Sequence, residues 1–176
     1  MKKYTLIPAT QEDESILSHL WPFYVYDLTR YCGHKPGWHN PTEPTFKSHC
    51  VADYYKDPDS QIYLLKMGSE HAGFMVIKKP DFMPDVDWFM AEFFIVAKFQ
   101  RSGLGHEVAI DCFNRFKGKW AVGVLPENAP AFVFWQKTIS QLTRNHYQEV
   151  HKTKDELKTP EYPNPYPMNM FLFTVT

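Results

Sequence analysis

The chain has 176 residues, enough to bury one good core, and we expect a single domain over residues 1–176. Its 44% hydrophobic and 22% charged residues are typical of a folded globular protein, and 19 basic against 20 acidic residues leave no overall charge that would attract nucleic acid. The longest apolar runs, Phe93 to Ala97 and Ala131 to Trp135, are far shorter than the roughly 20 residues that cross a bilayer, so we expect no membrane segment.

The N-terminal part of the sequence predicts a strand followed by a helix. Lys3 to Ile7 is a short strand, and Thr10 with Asp13 three residues later has the spacing of a helix cap. Apolar residues repeat at helical spacing from Leu17 to Tyr31, where Pro22 either kinks the helix or separates two helices.

The middle of the sequence predicts a loop, a hairpin and a central strand. Positions 32–48 contain three prolines and two glycines and should be loop. Gln61 to Met67 and Ala72 to Ile77 are apolar runs separated by four turn residues, the pattern of a β-hairpin. Asp81 to Asp87 is an acidic loop. Trp88 to Ala97 is apolar on both faces, which is typical of a strand at the centre of a covered sheet.

The C-terminal half alternates between helices and strands. Leu104 to Phe116 has one apolar helical face, and Trp120 to Leu125 is a second buried strand. Ala131 to Ile139 is helical, whereas Thr143 to His151 and Met168 to Val175 are strands, joined by a proline-rich linker. The helix between the two buried strands implies that they pair in parallel, so the pattern predicts a mixed α/β sheet with helices on both faces.

The three cysteines and eight histidines predict neither a disulfide framework nor a metal site. Cys32, Cys50 and Cys112 form no C-x-x-C pair, and no histidine stands at metal-ligand spacing from a cysteine or a second histidine. We therefore expect reduced thiols in a cytoplasmic protein without a bound metal.

The segment from Gln100 to Gly105 lies between the central strand and the following helix, and it predicts an anion site. The first N–H groups of a helix have no internal partner, the helix dipole favours negative charge there, and glycine allows a phosphate to approach the backbone. A dinucleotide site would need a third glycine where Val108 stands, and a P-loop would need Lys and Ser/Thr where His106 and Glu107 stand. A diphosphate fits the segment, and an ordinary strand-to-helix turn is the alternative.

Two motifs resemble those of the GNAT superfamily of N-acetyltransferases. Gln100-x-x-Gly103-x-Gly105 resembles its acetyl-CoA pyrophosphate signature, and Asn128 to Lys137 (NAPAFVFWQK) resembles its Asn-x-x-Ala-x-x-Phe-Tyr-x-Lys segment. The order of elements is also similar, so the resemblance covers nearly the whole chain and extends to a little-characterised subgroup of predicted bacterial acetyltransferases. It implies a mixed, mostly antiparallel sheet of about six to seven strands with a splayed parallel pair.

The resemblance implies a cytoplasmic acyl-CoA-dependent N-acyltransferase that transfers an acetyl group from acetyl-CoA to a primary amine of a small molecule or peptide. The strand end at Ile95 and Val96 would pair with the pantetheine arm, and Asn128 with Trp135 would line the thiol end. The full set of implied cofactor-binding residues is Phe94, Ile95, Val96, Gln100, Arg101, Ser102, Gly103, Leu104, Gly105, His106, Asn128, Ala131 and Trp135.

The catalytic residues are less well defined by the sequence. Glu92 is the one acid in the central strand, near the place where GNAT enzymes often carry a general base, and burial would raise its pKa. A water chain, or a structural role for Glu92, is the alternative. Trp135 stands where many GNAT enzymes have an acidic Tyr, and an indole is not a practical proton donor. Tyr147, a Tyr from the first helices, or no protein acid at all would then serve the leaving thiolate.

The aromatic residues of the first helix suggest an acceptor site. In GNAT folds this region covers the acceptor pocket, and an aromatic face with a carboxylate suits an amine cation. We expect most of these aromatics to pack in the core and assign Tyr26 and Asp27 to the substrate. Exposed Trp and Tyr in this part also make a homodimer a hypothesis.

Two alternative functions remain at this point. One is a CoA-binding sensor or interaction module on the same fold with little catalytic activity, suggested by Trp135. The other is a nucleotide-binding α/β protein of another type, which depends on the glycine segment alone.

Overall fold

A computed structural model of the chain describes residues 3–35, 51–159 and 165–176. Cys50, most of the expected loop at 32–48 and part of the proline-rich linker lie outside the described residues. The described elements are β1 (Thr5–Pro8), α1 (Glu14–Cys32), α2 (Val51–Lys56), β2 (Ser60–Met67), β3 (Glu70–Lys78), β4 (Trp88–Ile95), α3 (Leu104–Arg115), β5 (Gly118–Val124), α4 (Ala129–Thr143), β6 (Tyr147–Lys152), α5 (Lys154–Leu157) and β7 (Met168–Val175).

The strands form a seven-stranded sheet in the order β1-β2-β3-β4-β5-β7-β6. β1 runs antiparallel to β2, and β7 runs antiparallel to both β5 and β6. β4 and β5 are parallel, and their registered pairs extend from Trp88 opposite Trp120 to Met90 opposite Val122. The predicted mixed, mostly antiparallel sheet with one parallel pair is therefore confirmed.

The chain divides into two compact units, one comprising residues 1–77 and 92–100 and the other residues 78–91 and 101–176. The expectation of a single domain stays a prediction. Among the described residues, every helix falls short of the length or the apolar content that a bilayer span requires.

The first unit begins with the predicted strand and helix cap. The Thr10 backbone N–H and hydroxyl both donate to Asp13 Oδ2, at 2.9 and 3.2 Å, and a single 3-10 turn leads into α1. Pro22 lies inside α1, which is one helix from Glu14 to Cys32 and not two. β2 ends at Met67 and β3 begins at Glu70, so the hairpin loop has two residues instead of the predicted four. Its first residue, Gly68, has φ +60°.

Aromatic packing forms the core of the first unit. Trp21 on α1 stacks on Phe74 of β3, with ring centroids 5.5 Å apart, and Tyr24 meets Phe74 edge-on at 5.7 Å. Phe94 of β4 lies 5.6 Å from Phe74. Gly73, beside Phe74, has φ +154°, and a Cβ built there would lie 2.0 Å from the Phe94 carbonyl oxygen. This glycine therefore permits the close approach of the two strand backbones.

The second unit has a core on one side of its strands and a smaller apolar cluster on the other. Phe113 of α3 meets Trp120 edge-on at 4.8 Å and Phe173 at 5.1 Å. The cluster contains Val86 from the segment predicted as an acidic loop, packed with Ala121 and Met170. This segment is a loop, as predicted, but its buried valine attaches it to the sheet.

Candidate functional site

The residues predicted for the site fall in both units. In the first unit are Tyr26, Asp27, Glu92, Phe94, Ile95, Val96 and Gln100. In the second unit are Arg101, Ser102, Gly103, Leu104, Gly105, His106, Asn128, Ala131, Trp135 and Tyr147.

Hydrogen bonds fix the turn at the end of β4. The Val96 N–H donates to the Ala72 carbonyl of β3 at 2.8 Å. The side chain of Gln100 folds back, and its Nε2 donates to the Ile95 carbonyl at 2.7 Å. Phe94 and Ile95 are both buried. Gln100, the first residue of the predicted signature, therefore stabilises the loop that follows the strand.

The loop between Gln100 and α3 has an unusual backbone. Arg101 and Gly103 both have positive φ, 59° and 87°, in the left-handed region that L residues other than glycine rarely adopt. A Cβ built on Gly103 would meet no atom within 4 Å. The first backbone bond of α3 runs from the Glu107 N–H to the Gly103 carbonyl at 3.1 Å. The helix therefore starts directly after an exposed glycine in a left-handed turn. This arrangement suits the binding of an anion.

His106 lies in the first turn of α3 and connects that turn to α4. Its Nδ1 is 3.1 Å from the Thr138 hydroxyl, and Thr138 is only 1% exposed. This contact holds the start of α3 against a buried position of the next helix. His106 is half-buried, and its predicted contact with the pyrophosphate stays a prediction.

Asn128 and Trp135 have defined structural roles in α4. Asn128 Oδ1 accepts the Ala131 N–H at 3.1 Å, so Asn128 is the N-cap of the helix. Trp135 is 5% exposed and packs 6.1 Å from Phe113. The Trp135 indole therefore belongs to the core of the second unit.

The Glu92 carboxyl lies between two phenols of the first unit. The Tyr54 hydroxyl, from α2, donates to Glu92 Oε1 at 2.6 Å, and the Tyr24 side chain, from α1, makes a second hydrogen bond to the carboxyl. Burial raises the pKa of Glu92, while the two hydrogen bonds act in the opposite direction because they favour the charged form. Burial is the larger of these effects, so the pKa of Glu92 is raised above that of an exposed glutamate.

The sequence did not point to these two tyrosines as a pair. Tyr24 was expected to pack in the core, which it does, three residues after Trp21 on the same helical face. Tyr54 belongs to a six-residue helix that the sequence did not predict, and its contact with Glu92 spans 38 positions. The periodicity of α1 gave a local signal for Tyr24, whereas no local pattern could reveal Tyr54.

The two residues assigned to the substrate, Tyr26 and Asp27, follow Tyr24 within one turn of α1. Tyr26 is 58% exposed. Asp27 Oδ1 lies 3.5 Å from the Arg30 guanidinium, one turn along the helix. Their role in acceptor binding stays a prediction. The homodimer also stays a prediction, and Phe23 and Tyr26 are the two largely exposed aromatic side chains of α1 that it could use.

Tyr147 lies on β6, at the edge of the sheet. It is opposite Phe173 of β7, which is opposite Trp120 near the beginning of β5. Asn128 follows the other end of β5. The backbone of Tyr147 is therefore two strands away from β5 and level with the end of β5 that is remote from Asn128. Burial, with the negative charge of Glu149, raises the pKa of Tyr147 and makes it a weaker proton donor.

Metal-ligating side chains do not converge in the described part of the chain. Within residues 3–35, 51–159 and 165–176, no three His, Cys, Asp or Glu side chains lie close enough together to hold a metal ion.

No family model and no curated protein matches the sequence, so the comparison depends on solved structures. An acetyltransferase from Thermus thermophilus has a TM-score of 0.64 and 16% identity, with 99% of this chain and 98% of that chain covered. A GNAT family acetyltransferase from Elizabethkingia anophelis with acetyl-CoA bound has a TM-score of 0.58 and 18% identity, over 99% and 100%. An acetyltransferase from Bacillus subtilis in complex with CoA has a TM-score of 0.57 and 14% identity, over 99% of each chain.

These matches extend over nearly the full length of both chains. At this level of identity they establish the architecture and leave the reaction to be tested. The chain has the fold of the GNAT-family acetyltransferases.

Proposed function

We propose that the chain is an N-acetyltransferase that transfers an acetyl group from acetyl-CoA to a primary amine of a small molecule or peptide. The amine attacks directly, with both substrates bound in a ternary complex. The observation that carries this proposal is the segment from Gln100 to Gly105. It combines the signature with a left-handed turn at Gly103 and the first turn of a twelve-residue helix. Two solved structures of the same fold contain CoA or acetyl-CoA, which supports the same donor here.

The backbone of this segment fits a diphosphate. Gly103 is exposed, its φ of +87° suits glycine, and a Cβ built on it would meet no atom within 4 Å beyond its chain neighbours. The N–H groups at the start of α3 would donate to the phosphate oxygens, supported by the helix dipole. Gln100 keeps the loop in this conformation through its bond to Ile95. We assign the pantetheine arm to the end of β4 and the thiol end to Asn128 and Trp135.

Glu92 is proposed as the proton acceptor. An alkylamine with a pKa near ~10.4 is almost fully protonated at neutral pH, and only the neutral amine can attack a thioester. Acetyl-CoA supplies that thioester when it is bound. Burial raises the pKa of Glu92, so its carboxylate is a stronger base than an exposed glutamate. A water-mediated transfer to Glu92 would serve the same purpose.

We propose that the leaving thiolate needs no strong acid from the protein. Trp135 is buried in the core, and an indole N–H is not an acid at neutral pH. The strand register places the Tyr147 backbone level with the beginning of β5, whereas Asn128 follows the other end of that strand. A thiol with a pKa of ~8.5 is a fair leaving group without assistance. A proton-donating role for Tyr147 stays a prediction that Tyr147→Phe would test.

A CoA-binding sensor or interaction module is the second candidate function. It is favoured by Trp135, since a buried indole occupies the place where many proteins of this fold have a tyrosine acid. Such a protein would bind acetyl-CoA tightly and turn over slowly or not at all.

Turnover and binding measurements distinguish the two candidates. The purified chain is incubated with acetyl-CoA and a panel of primary amines, and the release of free CoA thiol is followed, while calorimetry compares CoA with ATP and NAD. We expect binding of CoA in preference to both nucleotides and thiol release with at least one amine. Tight CoA binding without release across a broad panel would favour the sensor. Equal binding of ATP or NAD would contradict the CoA site.

A further inference from the structure

We propose that Tyr54 is a positioning residue for Glu92, whose phenol holds the carboxylate in one orientation and favours its ionised form. This inference rests on the proposed function, in which Glu92 takes the proton from the acceptor amine. No sequence motif indicates Tyr54, and the assignment comes from the contacts of α2 alone.

The Tyr54 hydroxyl makes a direct hydrogen bond to the Glu92 carboxyl, and the Tyr54 ring packs against a neighbouring aromatic residue. The Tyr54 hydroxyl lies 2.6 Å from Glu92 Oε1, an ordinary distance for a hydroxyl that donates to a carboxylate. The ring of Tyr54 is 5.9 Å from Trp21, which itself stacks on Phe74. This packing restrains the ring that carries the donor, as an accurately positioned base requires.

The charge state of Glu92 depends on these hydrogen bonds. Burial disfavours a carboxylate, and a buried carboxylate without hydrogen bonds would remain protonated and unable to accept a proton. The described titratable groups against the carboxyl are Tyr24 from α1 and Tyr54 from α2. The side chains of β3 and β4 in the same cluster, Phe74 and Phe94, carry no charge. The two phenol donors therefore offset part of the effect of burial, and the pKa of Glu92 is raised less than burial alone would raise it.

Tyr54 is a better subject for substitution than Tyr24. Tyr24 packs against Trp21, Phe74 and Phe94, so its replacement would also disturb the core. Tyr54→Phe removes only the hydroxyl and keeps the ring. Tyr55→Phe is a matched control on the same short helix, since the buried Tyr55 hydroxyl has no hydrogen-bond partner among the described residues.

The first measurement is a pH titration of the Glu92 carboxyl by NMR in the full-length chain. Protein labelled with ¹³C at glutamate carboxyls is titrated, and the Glu92 signal is identified by its absence in Glu92→Gln. We expect the apparent pKa of Glu92 to be higher in Tyr54→Phe than in the wild type, because a hydrogen bond to the charged form has been removed. Tyr55→Phe should titrate like the wild type.

The second measurement is the pH dependence of turnover for the same variants, with an amine that the wild type acetylates. The acid limb of kcat/KM should move to higher pH in Tyr54→Phe, kcat at pH 7 should fall roughly tenfold, and the KM for acetyl-CoA should stay the same. Tyr55→Phe should leave the pH profile unchanged.

The two measurements separate the two proposals. An unchanged Glu92 pKa in Tyr54→Phe would overturn the role of Tyr54, whatever the activity. A raised pKa in a protein that acetylates no amine would confirm the contact between Tyr54 and Glu92 and refute the acetyltransferase. An equal shift in Tyr55→Phe would show a general change in α2 and would also overturn the inference.

Discussion

A charge introduced at Gly103 should weaken CoA binding by an amount that follows from the structure. Gly103 has φ +87°, and a Cβ there would meet no atom within 4 Å, so a short side chain fits if its residue tolerates the left-handed conformation. Asn and Asp are the residues that adopt it most readily after glycine. Gly103→Asp and Gly103→Asn therefore share size and backbone strain, and the charge alone distinguishes them.

The size of the charge effect can be estimated from Coulomb's law. A carboxylate about 4 Å from a phosphate costs about 1 kcal/mol in water and about 4 kcal/mol at an effective dielectric constant of about 20. Because Gly103 is exposed, the lower part of this range applies, about 1–2 kcal/mol. We expect CoA to bind Gly103→Asp roughly 5- to 30-fold more weakly than Gly103→Asn.

Calorimetry with CoA at two salt concentrations measures this difference. The gap between the two variants should be largest at about 0.01 M salt and smaller at about 0.15 M, where the Debye length falls to roughly 8 Å. Equal affinity of Gly103→Asp and Gly103→Asn for CoA at low salt would refute the placement of the diphosphate at this turn.

The remaining predictions concern stability and reactivity. Burial raises the pKa of Glu92 above 4.5, so the stability that Glu92 contributes is complete below pH 4.5 and is lost as the pH rises through its pKa in the folded protein. In urea unfolding, the free energy of unfolding should therefore decline less toward pH 8 in Glu92→Gln than in the wild type. Gly73→Ala should lower the free energy of unfolding by about 3 kcal/mol, since the new Cβ would lie 2.0 Å from the Phe94 carbonyl oxygen. Gly68→Ala should lower it by only about 1 kcal/mol, because Gly68 has a positive φ but a Cβ there would meet no atom within 4 Å. Burial raises the pKa of Cys112 to about 12, so iodoacetamide should alkylate it only after denaturation; rapid labelling of Cys112 in the native protein, read by mass spectrometry, would contradict its burial.

The sequence predicted those elements whose patterning is long and regular. β7 begins and ends at the predicted residues, and β4, with apolar residues on both faces, lies in the middle of the sheet with strands on either side. The glycine segment was placed correctly before α3 because strand, turn and amphipathic helix each leave a local pattern. The turn conformations at Arg101 and Gly103 required the structure.

Features that depend on contacts between distant residues could not be predicted. The helix α2 has six residues, too few for a periodic signal, and Tyr54 on it meets Glu92 across 38 positions. Likewise, only the register of β6 with β7 reveals that Tyr147 is opposite Phe173. The N-cap role of Asn128 is local by comparison, and its position before a proline-containing first turn also indicates it. The predicted contact of Asn128 with the cofactor stays a prediction.

The most direct test of the proposed function is mass spectrometry of the amines themselves. Wild-type protein and Glu92→Gln are incubated with acetyl-CoA and a mixed panel of primary amines, and each amine is examined for the addition of one acetyl group. We predict that the wild type produces at least one N-acetylated amine above the uncatalysed background, and that Glu92→Gln forms it far more slowly at neutral pH. Binding of acetyl-CoA without any acetylated amine would contradict the proposed acetyltransferase.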